Sequence, residues 1–312
     1  MNQVSRPHPS QYGTTVKRPA DFDEFWEGVL AQAAQIPLAA TMELVPLRCT
    51  PEIEVYDVHY DSLDGVRIAG WYCLPRERSG QLPAIAYMPG YVSEPAIPLD
   101  IARKGYAAFS VSPRGKLRSN QQFNPGYPGL LTQNIVDRNT YSYRGFYIDA
   151  VRVIDFLLWR DEVDSERIGV TGGSQGGGLT ISTAALRPEV RAAAAVAPFL
   201  CGFMDSIELL HTYPYHEIRD YLRMHPERTE RVRETLAYFD GINFAPRVTC
   251  PTTVFVGLQD NVCPPETGYA TFEALAAKDK QLYPYDGHGH DAGRAHHGAI
   301  VDEFFKTHLG QA

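Results

Sequence analysis

Gly172-Gly173-Ser174-Gln175-Gly176 is the segment of this chain best suited to chemistry. A Gly-x-Ser-x-Gly run can set a serine on a tight strand-to-helix turn with its hydroxyl exposed; the glycines are needed because side chains there would collide with neighbouring backbone. A serine hydroxyl attacks a carbonyl only when a general base takes its proton, so Ser174 calls for a histidine that is itself oriented by a carboxylate. On this kind of turn the partners follow along the chain in the order serine, acid, histidine. Asp260 comes directly after the apolar run Thr252–Gly257 and is the candidate acid. The histidine comes from Tyr283-Pro284-Tyr285-Asp286-Gly287-His288-Gly289-His290-Asp291, where His288 and His290 compete and residue chemistry alone leaves both open. A tetrahedral intermediate also needs two backbone N–H groups aimed at its oxyanion. Gln175, next to the nucleophile, supplies one, and Tyr91, in Pro89-Gly90-Tyr91 after the apolar run Ala84–Met88, is the candidate for the other.

Other chemistries fit less well. In a chain with 26 glycines the pentapeptide alone is a weak signal, and its weight comes from the short strand before it and the helix after it. The run lacks the Lys-Ser/Thr ending of a phosphate-binding loop and the spacing of a dinucleotide fingerprint. His288, His290, Asp291, His296 and His297 cluster in sequence and could serve a metal-dependent hydrolase. The zinc-hydrolase patterns HxHxDH and HExxH are absent, so no metal and no organic cofactor are expected.

These residues need a rigid scaffold. Short apolar runs at Ala84–Met88, Ala107–Val111, Ile168–Thr171, Ala192–Ala197, Thr252–Gly257 and Gln281–Tyr285 alternate with helical stretches. That alternation predicts an α/β fold, a mostly parallel central sheet with helices on both faces. Ahead of it, Val55–Ser62 and Val66–Leu74, separated by Asp64-Gly65, read as an antiparallel hairpin. Phe22, Phe25, Trp26, Val29, Leu30 and Ala33 fall at helical spacing, with Asp21 and Glu24 placed as a capping box. Tyr147, Ala150, Val151, Ile154, Leu157 and Leu158 form one helical face, with Asp149, Arg152 and Asp155 turned away from it. The expected organisation is a single domain over 1–312, with a helical N-terminal extension (1–40) and a helical insertion (199–246) over the carboxyl edge of the sheet.

Composition sets the outer bounds. The 312 residues, 44% hydrophobic and 21% charged, suit a globular chain with a sizeable core. A net charge of −8 with no dense basic run gives nucleic acid no footprint. The first twenty residues hold no apolar leader, and the most apolar stretch, Ala192–Met204, is interrupted and too short to span a bilayer, so a cytoplasmic protein is expected. Cys49, Cys73, Cys201, Cys250 and Cys263 are scattered and odd in number, suggesting neither a disulfide framework nor a zinc site.

Several longer motifs extend the reading: Asp21-Phe22-Asp23-Glu24-Phe25-Trp26, Gly90-Tyr91, Arg114-Gly115, Tyr143-Arg144-Gly145 leading to Asp149-Ala150-Val151-Arg152, the Ser174 turn, Tyr238-Phe239-Asp240 and Gly257-Leu258-Gln259-Asp260. With these the chain resembles, over nearly its whole length, the acetyl xylan esterase and cephalosporin C deacetylase family of carbohydrate esterases, which are α/β-hydrolases acting on short acyl esters. The resemblance implies Ser174 as nucleophile, Asp260 as orienting acid, and the amides of Gln175 and Tyr91 for the oxyanion. Aligning back from Phe304-Phe305 puts the family's histidine at His290, whereas counting forward from Tyr283-Pro284-Tyr285 favours His288; His290 is the choice. The family's His-Glu pair becomes His290-Asp291 and its Arg-Gly-Gln becomes Arg114-Gly115-Lys116, a cation in place of a neutral amide. The implied activity is removal of small acyl groups, most of all acetyl, from sugars or related hydroxylated small molecules, by a homo-oligomer that the family makes a hexamer. A larger-acyl esterase or a peptidase is the alternative within the same chemistry.

Overall fold

The computed structural model describes residues 8–310; the first seven residues of the expected extension and the last two of the chain lie outside them. Among the described residues nine strands form one sheet: β1 (Thr41–Leu44), β2 (Ile53–Asp61), β3 (Arg67–Pro75), β4 (Leu82–Met88), β5 (Ala107–Ser112), β6 (Val163–Gly173), β7 (Val190–Val196), β8 (Thr252–Gly257) and β9 (Lys280–Tyr285). Their order is β1-β2-β3-β5-β4-β6-β7-β8-β9. The β1-β2, β2-β3 and β3-β5 pairs are antiparallel, and every pair from β5 onward is parallel. The expected α/β architecture with an antiparallel opening is therefore present. Asp64 turns the hairpin with φ 62°.

The helices are α1 (Phe22–Ala34), α2 (Leu99–Arg103), α3 (Ser142–Leu158), α4 (Gln175–Leu186), α5 (Phe203–Leu209), α6 (His216–Met224), α7 (Thr229–Ala237), α8 (Gly241–Phe244), α9 (Pro265–Ala274) and α10 (Arg294–Leu309). Side-chain alternation along the central strands divides them between the two faces. Ala84, Ala86 and Met88 of β4 join the large core that includes α3 and α4 residues, while Ile85 packs with Ala192, Ala194, Phe305 and Leu309 beneath α10. Four helices, α5 to α8, interrupt the strand rhythm between β7 and β8, in the segment where the insertion is expected.

The aromatic stripe of α1 is buried through Phe22, Trp26, Val29 and Ala33. Trp26 stacks on Tyr147 of α3 at 5.8 Å and donates from Nε1 to the Tyr238 carbonyl at 2.8 Å. Burying an aromatic of that size contributes on the order of 4–6 kcal/mol of transfer free energy, enough to dock the helix. The capping box does not form. Asp21 is the N-cap but makes no side-chain cap bond, because its carboxylate accepts from Tyr238 and Arg138 instead. The polar side of α3 also differs from a solvated face: Asp149 and Arg152 are buried. Asp149 accepts from the Arg114 Nε at 2.8 Å and Arg152 donates to the carbonyls of Ala33 and Ile36. Gly145, one turn before Asp149, leaves the room this needs, since a Cβ there would lie 2.0 Å from the Arg114 guanidinium.

Candidate active site

β6 ends at Gly173 and α4 begins at Gln175, so Ser174 alone makes the turn. It does so with φ 57° and ψ −121°, a conformation that costs a non-glycine residue on the order of 1–3 kcal/mol and persists only where the surroundings enforce it. They do: its N–H donates to the Val196 carbonyl at 2.9 Å, and its own carbonyl accepts from Gly177 at 2.8 Å and Phe199 at 2.9 Å. The flanking glycines let the turn sit against β4. A Cβ on Gly172 would lie 2.5 Å, and one on Gly176 2.1 Å, from the Met88 carbonyl oxygen. Ser174 is thus held proud of the sheet at the N-terminus of a twelve-residue helix, whose dipole favours negative charge there.

Asp260 follows β8, and His290 follows β9, both at the carboxyl ends of strands that run parallel to β6. The Asp260 Oδ2 and His290 Nδ1 lie 2.8 Å apart. The other carboxylate oxygen, Oδ1, accepts from the backbone N–H of Val262 at 2.7 Å and of Cys263 at 3.0 Å, so a carboxylate that is 5% exposed has every oxygen occupied. His288 makes a different pair, its Nδ1 lying 2.8 Å from the Asp291 Oδ2 on the exposed side of the loop. Of the two imidazoles, it is therefore His290 that meets Asp260. Ser174 and His290 line one cavity of about 470 Å³, together with Tyr87, Tyr106, Val301 and Arg294. A larger cavity, about 870 Å³, lies between Thr15–Pro19 and the α7 region and contains none of Ser174, Asp260 and His290.

The histidine-rich run does not converge on a common point: His297 Nδ1 lies against the Ala292 carbonyl and His296 stacks on Tyr285. Among the described residues, the group whose donor atoms approach one another within metal-ligand reach is Asp260, Cys263 and His290, all within 4.8 Å. There the acid is already committed to an imidazole and two amides, which suits proton transfer better than metal binding. In the sequence, Cys263 is one of five scattered cysteines with nothing to tie it to Ser174. Its buried thiol lies against the Ser174 hydroxyl, and burial together with the Asp260 charge pushes it well above the ordinary thiol range, so it stays protonated.

Tyr91 stands three residues past β4, its side chain buried against Phe199 and Tyr127. Its hydroxyl donates to the Glu217 Oε2 at 2.6 Å. Glu217, on α6, also accepts from the N–H of Gly129 and Leu131 through Oε1, and burial raises its pKa from the ordinary carboxylate value. Gln175 is fully buried, its Oε1 accepting from the Tyr143 hydroxyl at 2.7 Å. Lys116, noted in the sequence only as a departure, donates to three carbonyls of the Tyr91 loop. Glu217 escaped sequence reading altogether, as one acid among several in a helical segment.

Comparison with known proteins adds the lineage. The family model for acetyl xylan esterase (AXE1) matches residues 8–308. The chain belongs to the acetyl xylan esterase family. Its fold is that of the family's solved members: the acetyl xylan esterase from Paenibacillus sp. R4 superimposes with a TM-score of 0.91 at 36% identity, covering 97% of this chain and 100% of that one. Acetyl xylan esterase 1 from Thermoanaerobacterium sp. JW/SL YS485 gives 0.88 at 30% identity, over 95% and 96% of the two chains. Acetyl esterase Axe7A of Xylanibacter ruminicola is 31% identical over an alignment of 288 residues that covers 87% of this chain and 64% of that protein. An acylaminoacyl peptidase from Pyrococcus horikoshii, at 19% identity and a TM-score of 0.63, shares the α/β-hydrolase fold alone.

Proposed function

We propose that this protein is a serine esterase that removes acetyl groups from acetylated sugars, xylan fragments foremost. The observation that carries the reading is the Asp260–His290 pair at 2.8 Å, whose imidazole lines one cavity with a strained Ser174, in a chain of the acetyl xylan esterase family. In this reading the Ser174 Oγ attacks the ester carbonyl while the His290 Nε2 takes its proton, and the carbonyl oxygen gains a negative charge that the amides of Gln175 and Tyr91 receive. Asp260 holds His290 in the tautomer with its proton on Nδ1 and stabilises the imidazolium. The C–O bond to the sugar then breaks, His290 returns the proton to the departing alkoxide, and an acetyl-Ser174 ester remains. Water, deprotonated by His290, attacks that ester; the bond to the Ser174 Oγ breaks, Oγ takes the proton back from His290, and acetate leaves.

The reading also takes in a homo-oligomer and a cytoplasmic setting. The first is supported by family resemblance and is read from the solution mass as a multiple of 34.8 kDa. The second is supported by five cysteines that are all unpaired and by the lack, among the described residues, of any helix long and apolar enough to cross a membrane.

The test is release of acetate from acetylated xylo-oligosaccharides, alongside hydrolysis of acetyl, butyryl and octanoyl esters of one alcohol. The proposal expects acetate release and a steep fall in kcat/KM beyond about four carbons, as a small pocket rejects each further methylene pair. Preference for the octanoyl ester, or cleavage of acylated peptides with no acetate release, would instead make it a larger-acyl esterase or a peptidase.

A further inference from the structure

Lys116 sits just past β5 and is 2% exposed. An ammonium group has three donors and no acceptor. All three donors are used, on the carbonyl oxygens of Gly90 at 2.9 Å, Tyr91 at 2.9 Å and Ser93 at 2.8 Å. Every acceptor belongs to the loop after β4, and the first is the carbonyl of the peptide whose N–H is that of Tyr91. In a planar trans peptide the C=O and N–H point in opposite directions. Fixing the Gly90 oxygen on Lys116 therefore turns the Tyr91 N–H to the other side of the loop. Gln175, whose own amide is the second oxyanion donor in the proposed mechanism, reaches the same Gly90 oxygen through Nε2 at 3.3 Å. A charged donor also polarises the peptide it bonds, which strengthens that peptide's N–H as a donor in turn.

We propose that Lys116 is a positioning residue for ester hydrolysis: without touching substrate, it orients and polarises the Gly90–Tyr91 peptide so that the Tyr91 N–H meets the developing oxyanion. This deepens the serine-esterase reading and rests on it. The lysine is itself held, because Arg114, two residues earlier, is locked to Asp149 and the Lys116 N–H bonds the Pro113 carbonyl at 3.2 Å. Glu217 holds the same loop through the Tyr91 hydroxyl, so backbone and side chain are gripped by different elements. A glutamine at position 116 has two donors and no charge, and could serve at most two of the three carbonyls.

A pH signature follows. Burial pushes the Lys116 ammonium down to about 8, against the opposing charge of Glu94. The other titratable groups around it are the phenols of Tyr91 and Tyr127, both raised by burial and so neutral in this range, and Glu217 beyond Tyr91. Above a pH of about 8 the neutral amine has two donors and no charge, and the loop loses one bond and its polarisation. Unfolding does not account for the loss. A lysine with a folded pKa below its unfolded one adds stability as pH rises from about 8 towards 10.5, because over that interval the unfolded chain binds more protons.

The test measures kcat and KM on a chromogenic acetyl ester from pH about 6 to about 10 for the full-length wild type, Lys116→Met and Lys116→Gln, with thermal melts of each. Lys116→Met should lose about 100-fold in kcat, the scale of one missing oxyanion donor, with KM little changed. Lys116→Gln should recover to within about tenfold of wild type and lack the alkaline fall. Should Lys116→Met fail to fold, the pH profile of Lys116→Gln decides. An alkaline fall that persists in Lys116→Gln, a folded Lys116→Met with wild-type kcat, or a loss confined to KM overturns the positioning role. A wild type that cleaves no ester sinks the esterase reading and this role with it, whereas a wild type that is active and reacts at Ser174 confines any failure to Lys116.

Discussion

Replacing Asp260 with asparagine changes one atom and should silence the site. The Asp260 Oδ1 accepts from two backbone N–H groups, of Val262 at 2.7 Å and Cys263 at 3.0 Å, while Oδ2 faces the His290 Nδ1 at 2.8 Å. An asparagine must keep its oxygen on the two amides, because the flipped amide would set donor against donor twice, at about 1–3 kcal/mol for each buried group left without a partner. Its NH2 then faces His290, and Nδ1 becomes the acceptor. The imidazole proton moves to Nε2, the nitrogen that takes the proton of Ser174 in the proposed mechanism. A wrong-tautomer histidine costs about 10⁴ in kcat, or about 4 × 1.36 ≈ 5.4 kcal/mol of barrier. The assay is steady-state hydrolysis of a chromogenic acetyl ester, with thermal melting to verify that side-chain volume and fold are retained. A loss in kcat of less than about tenfold in folded Asp260→Asn would refute the reasoning, since the geometry leaves the amide no other orientation.

Other perturbations separate site from scaffold. His290→Ala should lower kcat by about 10⁴ to 10⁶, whereas His288→Ala, whose imidazole pairs with Asp291 on the exposed side of the loop, should stay within a few-fold of wild type; kinetics of the two variants side by side read this directly. Asp149→Ala leaves the Arg114 guanidinium buried with part of its hydrogen bonding gone, since Asp149 accepts from Nε at 2.8 Å and Nη2 at 3.0 Å. Breaking a buried pair in this way costs about 3–5 kcal/mol and should lower the melting temperature by roughly 10 °C, seen by calorimetry or circular dichroism.

The parts legible in the sequence were those whose physics is local. Ser174 could be singled out because a buried strand, a glycine-flanked serine and a helix follow one another without interruption, and Asp260 because it stands behind an apolar strand; position behind β9 serves His288 and His290 alike, and only the family resemblance favours His290. The central strands announced themselves as short apolar runs, since both their faces are covered. β1 did not: Thr41–Leu44 is an edge strand with a largely exposed burial pattern, so no hydrophobic alternation marks it. β6 begins at Val163, ahead of the apolar run, through the polar stretch that Asp164 and Arg167 close with an ion pair. The capping box failed because Tyr238 and Arg138, more than a hundred residues away, compete for Asp21. Asp149 and Arg152 looked like a solvated face because their partners, Arg114 and the carbonyls after α1, are invisible to helical periodicity. Lys116 and Glu217 act on Tyr91 from β5's end and from the insertion, and only the fold brings them together. The signal that could have flagged Lys116 is a charged residue four positions past a fully buried strand, where burial would demand acceptors.

The central claim is that one hydroxyl is activated by one acid–imidazole pair. A fluorophosphonate probe mapped by mass spectrometry on the intact protein tests this most directly, with His290→Ala as the companion. A single adduct on Ser174 that abolishes ester hydrolysis is expected, with labelling of His290→Ala slowed by orders of magnitude. An adduct elsewhere, hydrolysis that continues at full rate in the labelled protein, or equal labelling without His290 would contradict it.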